Sequence, residues 1–579
     1  MSRFLHRMAV KGEIDWLSFS FAEFICRQAG ESIDSPLAQS AALVSEANLA
    51  GDVCVELKHY QDKTLFPGEN QADTERMEDA DRWISQLLDT GVVSGPDKDN
   101  PIIVDDGRLY LQRNWRYETS VANKLLGRME TPGSIQQADL ISTIEPLFLN
   151  SKPEENDQKA AVTKAIERQF SVISGGPGTG KTTTVVKILA AILSLRPESR
   201  IALSAPTGKA AARMIASIKS RIDQIEIDEN IRQLVPLESA TLHRLLGFSQ
   251  NRFRHHEKHR LPYDCVIVDE ASMIDLRLMF QLLEALPDHS RLILLGDRDQ
   301  LASVAAGNVL GDITGHGRSL DQASGQLQDS ISLLTHSYRF EASSDIARLA
   351  SLVNQGNAHA ALEQLDQNNK ATLWFQAADR SLTENSLKMV LEAYRGVLTA
   401  VNPADAIDQF ERFRVLATLN QGPHGVIELN RLISQKLLNQ QNSVNSELFQ
   451  AMPIIVNRNH HDLGLYNGDT GILWEQNGLM YACFNDAANN LRWIRLNRLR
   501  DFSPAWVTTV HKSQGSEFDT VLLVLPEDSE SESLSRELLY TAITRAKTRF
   551  VLQGNRGVVQ SMIKKLTRRH SGLAERLGW

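Results

Sequence analysis

The sequence predicts an α/β protein: two parallel-sheet domains, an α-helical domain ahead of them, and a small β-barrel inserted into the second sheet domain. Three observations carry that reading. From Phe170 onward, short apolar runs alternate with helical segments, the texture of a parallel sheet with crossover helices. The same texture starts again near Phe413, which makes a second sheet. Residues 1–120 instead show amphipathic helical periodicity with no chemical motif. With 579 residues and 42% hydrophobic content, the chain has material for several cores.

Taken in order, residues 1–120 read as an α-helical domain, including the Ala- and Leu-rich stretch 36–50. Its apolar helical faces without ligand chemistry suit partner docking or packing on the rest of the chain. Residues 121–345 form the first sheet domain, with strands expected at Val172-Ile173, Ile201-Ala202-Leu203, Val266-Ile267-Val268 and Leu292-Ile293-Leu294-Leu295. Residues 346–579 form the second, with strands near Phe413, Trp506, Thr520 and Phe550. Alternating, turn-rich sequence at about 440–500, including Asn467-Gly468 and Asn477-Gly478, predicts the inserted barrel or meander. The acidic stretch 526–535 (PEDSESESLS) reads as a surface loop.

A net charge of -9 excludes a wholly basic coat, so nucleic-acid contact must come from local patches. Two are visible: residues 251–260 (NRFRHHEKHR), and 545–576, whose charges are almost all basic. Either is also compatible with a solvated face. Cys26, Cys54, Cys265 and Cys483 are too scattered for a metal knuckle, and reduced thiols suit a cytoplasmic protein. No apolar run is long enough for a signal peptide or a membrane span, so a soluble intracellular chain is expected.

The chemistry is concentrated at residues 174–182 (SGGPGTGKT), where an apolar strand gives way to a helix. In the loop Gly175, Gly176, Pro177, Gly178, Thr179 and Gly180, the glycines let backbone N–H groups converge on phosphate oxygens at a helix N-terminus. Lys181 is expected to reach the β- and γ-phosphates of ATP, and Thr182, followed by Thr183, to ligate Mg²⁺. A hydrolase also needs an acid for the metal and a base for water. Residues 263–275 (YDCVIVDEASMID) offer Asp269 and Glu270 at a strand end. The next strand ends in 296–301 (GDRDQL), placing Gln300 where it can report on the γ-phosphate.

This order of strings resembles the superfamily-one helicases, and within them the RecD-like branch, the alpha-subunit family of exodeoxyribonuclease V. Residues 156–159 (NDQK) are similar to the motif whose glutamine, here Gln158, reads adenine. Residues 205–211 (APTGKAA) and 241–246 (TLHRLL) look like DNA-contacting motifs, and 338–340 (YRF) resembles the segment that brings an arginine, here Arg339, to the phosphates. Residues 509–517 (TVHKSQGSE) and 539–546 (LYTAITRA) are similar to the branch's most diagnostic strings, implying Glu517 near the ribose and Arg545 as a second arginine finger. Residues 51–54 and 109–111 match the branch as well. Asn459-His460 departs from it, the pattern more often having Asn-Asp.

The resemblance implies two RecA-like motor domains that close on ATP, with catalytic Lys181, Glu270, Gln300, Arg339 and Arg545. It further implies 5′-to-3′ movement along single-stranded DNA, with RecB-like and RecC-like subunits processing double-strand ends. The nuclease centre is expected in a partner. Thr207, His243, Thr508 and His511, small or polar groups near strand ends, suit phosphate and sugar contacts, or else turns and caps. The basic 251–260 segment falls where related motors insert a small hairpin. The rivals are a free-standing RecD-like helicase, usually preceded by a longer extension than the 120–150 residues here, and a nucleotide-dependent switch that does not translocate.

Overall fold

A computed structural model of the chain describes residues 4–66, 76–130, 137–149, 152–338, 344–376, 381–440, 448–460, 462–486, 490–528, 534–567 and 569–579. Its centre is a six-stranded, all-parallel sheet. The strands run, in spatial order, Ile331–Leu334, Phe170–Gly175, Arg291–Gly296, Cys265–Val268, Ile201–Ala205 and Ser239–Thr241. Alternation along these strands divides two cores. Phe170, Val172, Val266, Val268, Leu292 and Leu294 pack on one face, Ile173, Ile267, Ile293 and Leu295 on the other. Because both faces are covered by helices, the strands read as nearly continuous apolar runs, which is why they were visible in the sequence.

A second all-parallel sheet has the order Thr372–Phe375, Ala546–Gln553, Phe518–Val524, Phe413–Ala417 and Val507–Thr509. Between its strands Phe413–Ala417 and Val507–Thr509 the chain makes an antiparallel five-stranded sheet, Leu491–Arg495, Leu479–Asn485, Thr470–Gln476, Pro453–Val456 and Phe502–Pro504. Ile454, Ile472, Leu473 and Cys483 share a core with Val415 and Leu522 of the parallel sheet. The expected barrel is corrected here: among the described residues the first and last strands of this sheet do not pair, and it stays open. Asn477 (φ 54°) and Gly478 (φ 73°) form the tight turn joining two of its strands.

The opening region is also richer than the helices expected of it. Helices Phe4–Lys11, Trp16–Ala29, Pro36–Ala50 and Ala80–Asp89 surround a mixed four-stranded sheet, Cys54–Glu56, Arg108–Leu111, Ile102–Asp105 and Val93–Ser94. This region is not walled off at residue 120, since one helix, Gln112–Glu130, runs across that point. Val53, Ile103, Tyr110 and Val121 share a core with the first parallel sheet. A late segment, 569–579, seals the join. His570 O accepts from Val53 N and Cys54 N, and Leu573 and Leu577 enter the same core. All four cysteines are free and buried, and no described helix is long and apolar enough to cross a membrane.

Candidate nucleotide site and interface

The strand Phe170–Gly175 delivers its loop to the helix Lys181–Leu195 at the carboxyl edge of the first sheet, where open α/β sheets form ligand crevices. The turn requires glycine: Gly178 and Gly180 have φ of 79° and 85°. A side chain at Gly180 would collide with the Gln158 amide. Gln158, only 3% exposed, donates Nε2–H to Thr179 O (3.4 Å), while its Oε1 has no hydrogen-bond partner. A buried carbonyl oxygen without a donor is costly, and a base carrying an amino group would satisfy it. Lys181 folds its ammonium back on the loop, donating to Gly175 O (2.5 Å) and Gly176 O (3.1 Å). Those carbonyls hold a cation where an anionic ligand would draw it outward. Pro177, Gly176 and Thr182-Thr183 are half-buried around the loop, and Thr179 bonds back to Gly176 O (2.9 Å).

Asp269 and Glu270 follow the strand Cys265–Val268. Glu270 sits at φ 53°, a left-handed conformation that costs a non-glycine residue roughly 1–2 kcal/mol. Its N–H donates to Asp269 Oδ1 (2.8 Å). Burial, helped by the Glu270 charge, holds the Asp269 carboxyl well above the usual carboxylate range, and Lys181 opposes it. A buried acid with too little positive charge beside a lysine and a helix-start threonine fits a divalent cation.

The second sheet reaches into this crevice. Tyr540 donates its hydroxyl to Asp297 Oδ2 (3.1 Å), the atom that also accepts from Gln300 Nε2 (3.0 Å). Burial raises Asp297, with Asp299 adding to the effect. The Gln300 Oε1 is buried without a partner. Leu301 is gripped at both backbone groups, its N–H donating to Thr541 Oγ1 (3.0 Å) and its carbonyl accepting from Gln514 Nε2 (3.0 Å). Arg545, 2% exposed, donates to Thr541 O and Ser516 O (both 3.2 Å). Burial works against its charge, and Glu270, Glu517 and Asp297 favour it. Glu517 is ion-paired to Arg213, whose Nη1 donates to Gly515 O (2.9 Å). The structure therefore gathers Lys181, Asp269, Glu270, Gln300, Arg545 and Glu517 around one seam. Arg339 lies outside the described residues. Its neighbour Tyr338 donates N–H to Gly178 O (2.8 Å).

Sequence reasoning gave no role to Asp297, Tyr540 or Arg213. The first two sit inside strings already singled out, so position within those strings was the available signal. For Arg213 there was none.

The four residues expected at DNA are placed separately. Thr207 caps the helix Gly208–Ile222 through Oγ1 to Ala210 N (3.2 Å), engaging the hydroxyl in the alternative role weighed for it. His243 packs against Phe248 and Phe253, ring centroids 5.3 and 6.0 Å apart. Thr508 is 5% exposed within the strand Val507–Thr509. His511 lines a cavity of about 490 Å³ with Arg298, Gln300, His316 and Arg569. Burial and the Arg569 charge keep its imidazole below the usual range. In and beside the basic segment 251–260 the chain makes two separate tight turns, each closed by an isolated antiparallel bridge, Ser249 with Arg252 and His256 with His259.

Comparison with known proteins gives consistent matches. Residues 11–110 match the N-terminal domain of the RecBCD enzyme subunit RecD, residues 158–306 an AAA domain, and residues 504–552 a UvrD-like helicase C-terminal domain. The chain is 35% identical to the RecBCD enzyme subunit RecD of Mycolicibacterium smegmatis over 94% of each chain. It is 32% identical to that of Haemophilus influenzae over 82% of this chain and 81% of that one. An ATP-dependent RecD2 DNA helicase of Deinococcus radiodurans is 27% identical, matched over 98% of this chain and 72% of the relative. Among solved structures, a Bacteroides Pif1 bound to ssDNA aligns at a TM-score of 0.39 and 16% identity, covering 69% of this chain and 92% of that one.

Proposed function

This chain belongs to the RecD family of RecBCD enzyme subunits, and from that premise we propose how its central seam works as the engine of an ATP-dependent DNA helicase. The chain is a helicase subunit that acts on DNA with RecB-like and RecC-like partners. In our reading ATP lies on the loop 175–183, with Gln158 on the adenine and Glu517 toward the ribose. Lys181 leaves the Gly175 and Gly176 carbonyls for the β- and γ-phosphates. Thr182 and Asp269 are the residues that would hold Mg²⁺, whose chemistry is to neutralise phosphate charge. Glu270 orients and deprotonates the attacking water.

Coupling follows from who supplies what. The observation that carries it is the set of bonds across the seam, Tyr540 to Asp297 and Thr541 and Gln514 to Leu301. Those from Tyr540 and Thr541 tie the strand end bearing Gln300 to the helix Arg536–Ile543, which leads directly into Arg545. A γ-phosphate gives Gln300, Arg339 and Arg545 a shared partner, and hydrolysis removes it, so the two sheets close and reopen with each turnover. We take the motion to move single-stranded DNA in the 5′-to-3′ direction across Thr207, His243, Thr508 and His511. We take residues 1–120, 121–345 and 346–579 as docking, first and second motor domains, and the cytoplasm as the place of action.

The test is ATP hydrolysis by the complex with and without single-stranded DNA. Hydrolysis rises with DNA, and Lys181→Gln abolishes this subunit's share while the complex still assembles. Turnover of the variant at the unmutated rate overturns the site. Isolation of the chain without stoichiometric partners would favour the free-standing reading.

A further inference from the structure

We propose that Glu56, His59 and His570 form a binding site for a borderline divalent transition metal of the Zn²⁺ class, which clips the segment 569–579 to the opening region. Among the described residues these three side chains bring their donor atoms within 4.8 Å of one another.

Local structure explains the grouping. Glu56 ends the strand Cys54–Glu56, and His59 lies in the 3-10 turn Leu57–Tyr60. Residues three apart eclipse one another in that geometry, so the two side chains share a face. His59 Nδ1 lies 3.6 Å from Glu56 Oε2. Tetrahedral coordination at about 2.0–2.1 Å from each donor sets neighbouring donors roughly 3.3 Å apart. That pair is therefore nearly in place, and modest side-chain rotation brings in the third donor.

His570 is presented from the other direction, and its backbone is fixed independently of its ring. Its N–H donates to Asp52 Oδ1 (2.8 Å), and its carbonyl accepts from Val53 N (2.8 Å) and Cys54 N (3.3 Å). The two imidazoles stand edge to face with centroids 5.3 Å apart. Glu56 and His570 are half-buried and His59 is exposed. A fourth position therefore faces solvent, where water completes the shell. Two imidazole nitrogens and one carboxylate oxygen favour Zn²⁺, Ni²⁺ or Cu²⁺ over Mg²⁺ or Ca²⁺, which take oxygen donors. Binding joins residues more than five hundred positions apart, so its free energy is added to the docking of 569–579.

The test is calorimetric titration of the chelator-treated full-length chain with ZnCl₂ in the absence of nucleotide. One equivalent binds the unmutated chain, and His570→Gln or His59→Gln weakens that equivalent at least tenfold. Both variants keep the unmutated Tm in chelator, because the bonds that seat His570 are made by its backbone. Zinc raises Tm for the unmutated chain and not for either variant. The neighbouring pair His255 and His259, with Nδ1 atoms 3.1 Å apart, is the competing donor set. His255→Gln keeps the equivalent. No stoichiometric binding, or an equivalent that survives His570→Gln and disappears with His255→Gln, overturns the proposal.

Discussion

Arg545 shows how much of a catalytic side chain can be read from its own position and how much depends on distant residues. The string 539–546 marked it as a finger, but only the fold shows a guanidinium that is 2% exposed and spends its donors on Thr541 O and Ser516 O. Those carbonyls position it without neutralising it, so a γ-phosphate is the better partner once the seam closes. Arg545→Lys retains the charge and loses the planar fork. We expect kcat for DNA-stimulated hydrolysis to fall by about 10³-fold or more, with single-strand affinity unchanged in a filter-binding assay. A change confined to DNA affinity removes the finger assignment. Glu270→Gln is expected to bind ATP normally and hydrolyse almost none of it, measured as retained nucleotide binding beside lost phosphate release. The phosphate loop was legible because its chemistry is contiguous. The pairs Arg213 with Glu517 and Asp297 with Tyr540 were not, because each joins positions hundreds of residues apart.

Among elements, the strand end 296–301 and the helix Arg536–Ile543 are held together a second time, behind the nucleotide crevice. His316 lies between Asp299 (3.5 Å) and Glu537 (3.4 Å), and Glu537 also accepts from Thr567 N (3.0 Å). Burial alone would lower the imidazole, but the two carboxylates outweigh it and raise His316 to about 9. An unfolded histidine titrates near 6.5, so this contribution to stability is complete below that pH and is lost as pH rises through about 9. His316→Gln should therefore lower Tm at pH 7 by at least about 1 °C, the response of a chain this long to roughly 1 kcal/mol. The gap should close by pH 10 in parallel melts. A gap that stays constant across that range rejects a charged clasp. The sequence disclosed the long buried strands and the Asn477-Gly478 turn, since apolar runs and hairpin residues are local signals. It hid the four-stranded sheet of the opening region, whose strands are two to four residues long, too short for period-two alternation to register. It also misled on the inserted sheet, where a barrel was expected and the sheet stays open, because closure depends on whether two edge strands meet.

For the molecule as a whole, we expect partner contact to fall on the side of the opening region opposite its internal contact. Its inner side shares a core with the first parallel sheet, whereas Leu17 (61% exposed) and Phe24 (50%), two turns apart on the helix Trp16–Ala29, project outward beside Trp16. Exposed aromatic and aliphatic side chains in one patch suit a subunit interface. Replacing Leu17 and Phe24 together by Ser should leave DNA-stimulated hydrolysis intact and release the chain from RecB-like and RecC-like partners on size-exclusion chromatography. Co-elution of the double variant with the full complex would place the contact elsewhere. The seating of Leu573, Leu577 and the His570 carbonyl against Val53 and Cys54 also governs the order in which the protein can be finished. The strand that begins at Cys54 leaves the ribosome early, yet the backbone N–H groups of Val53 and Cys54 at its start find their acceptor only after residue 570 is made. At about 5–20 residues per second that delay is roughly half a minute to two minutes. During it the opening region has an open edge and an incomplete core, so a nascent chain paused before residue 570 is the species most dependent on chaperones.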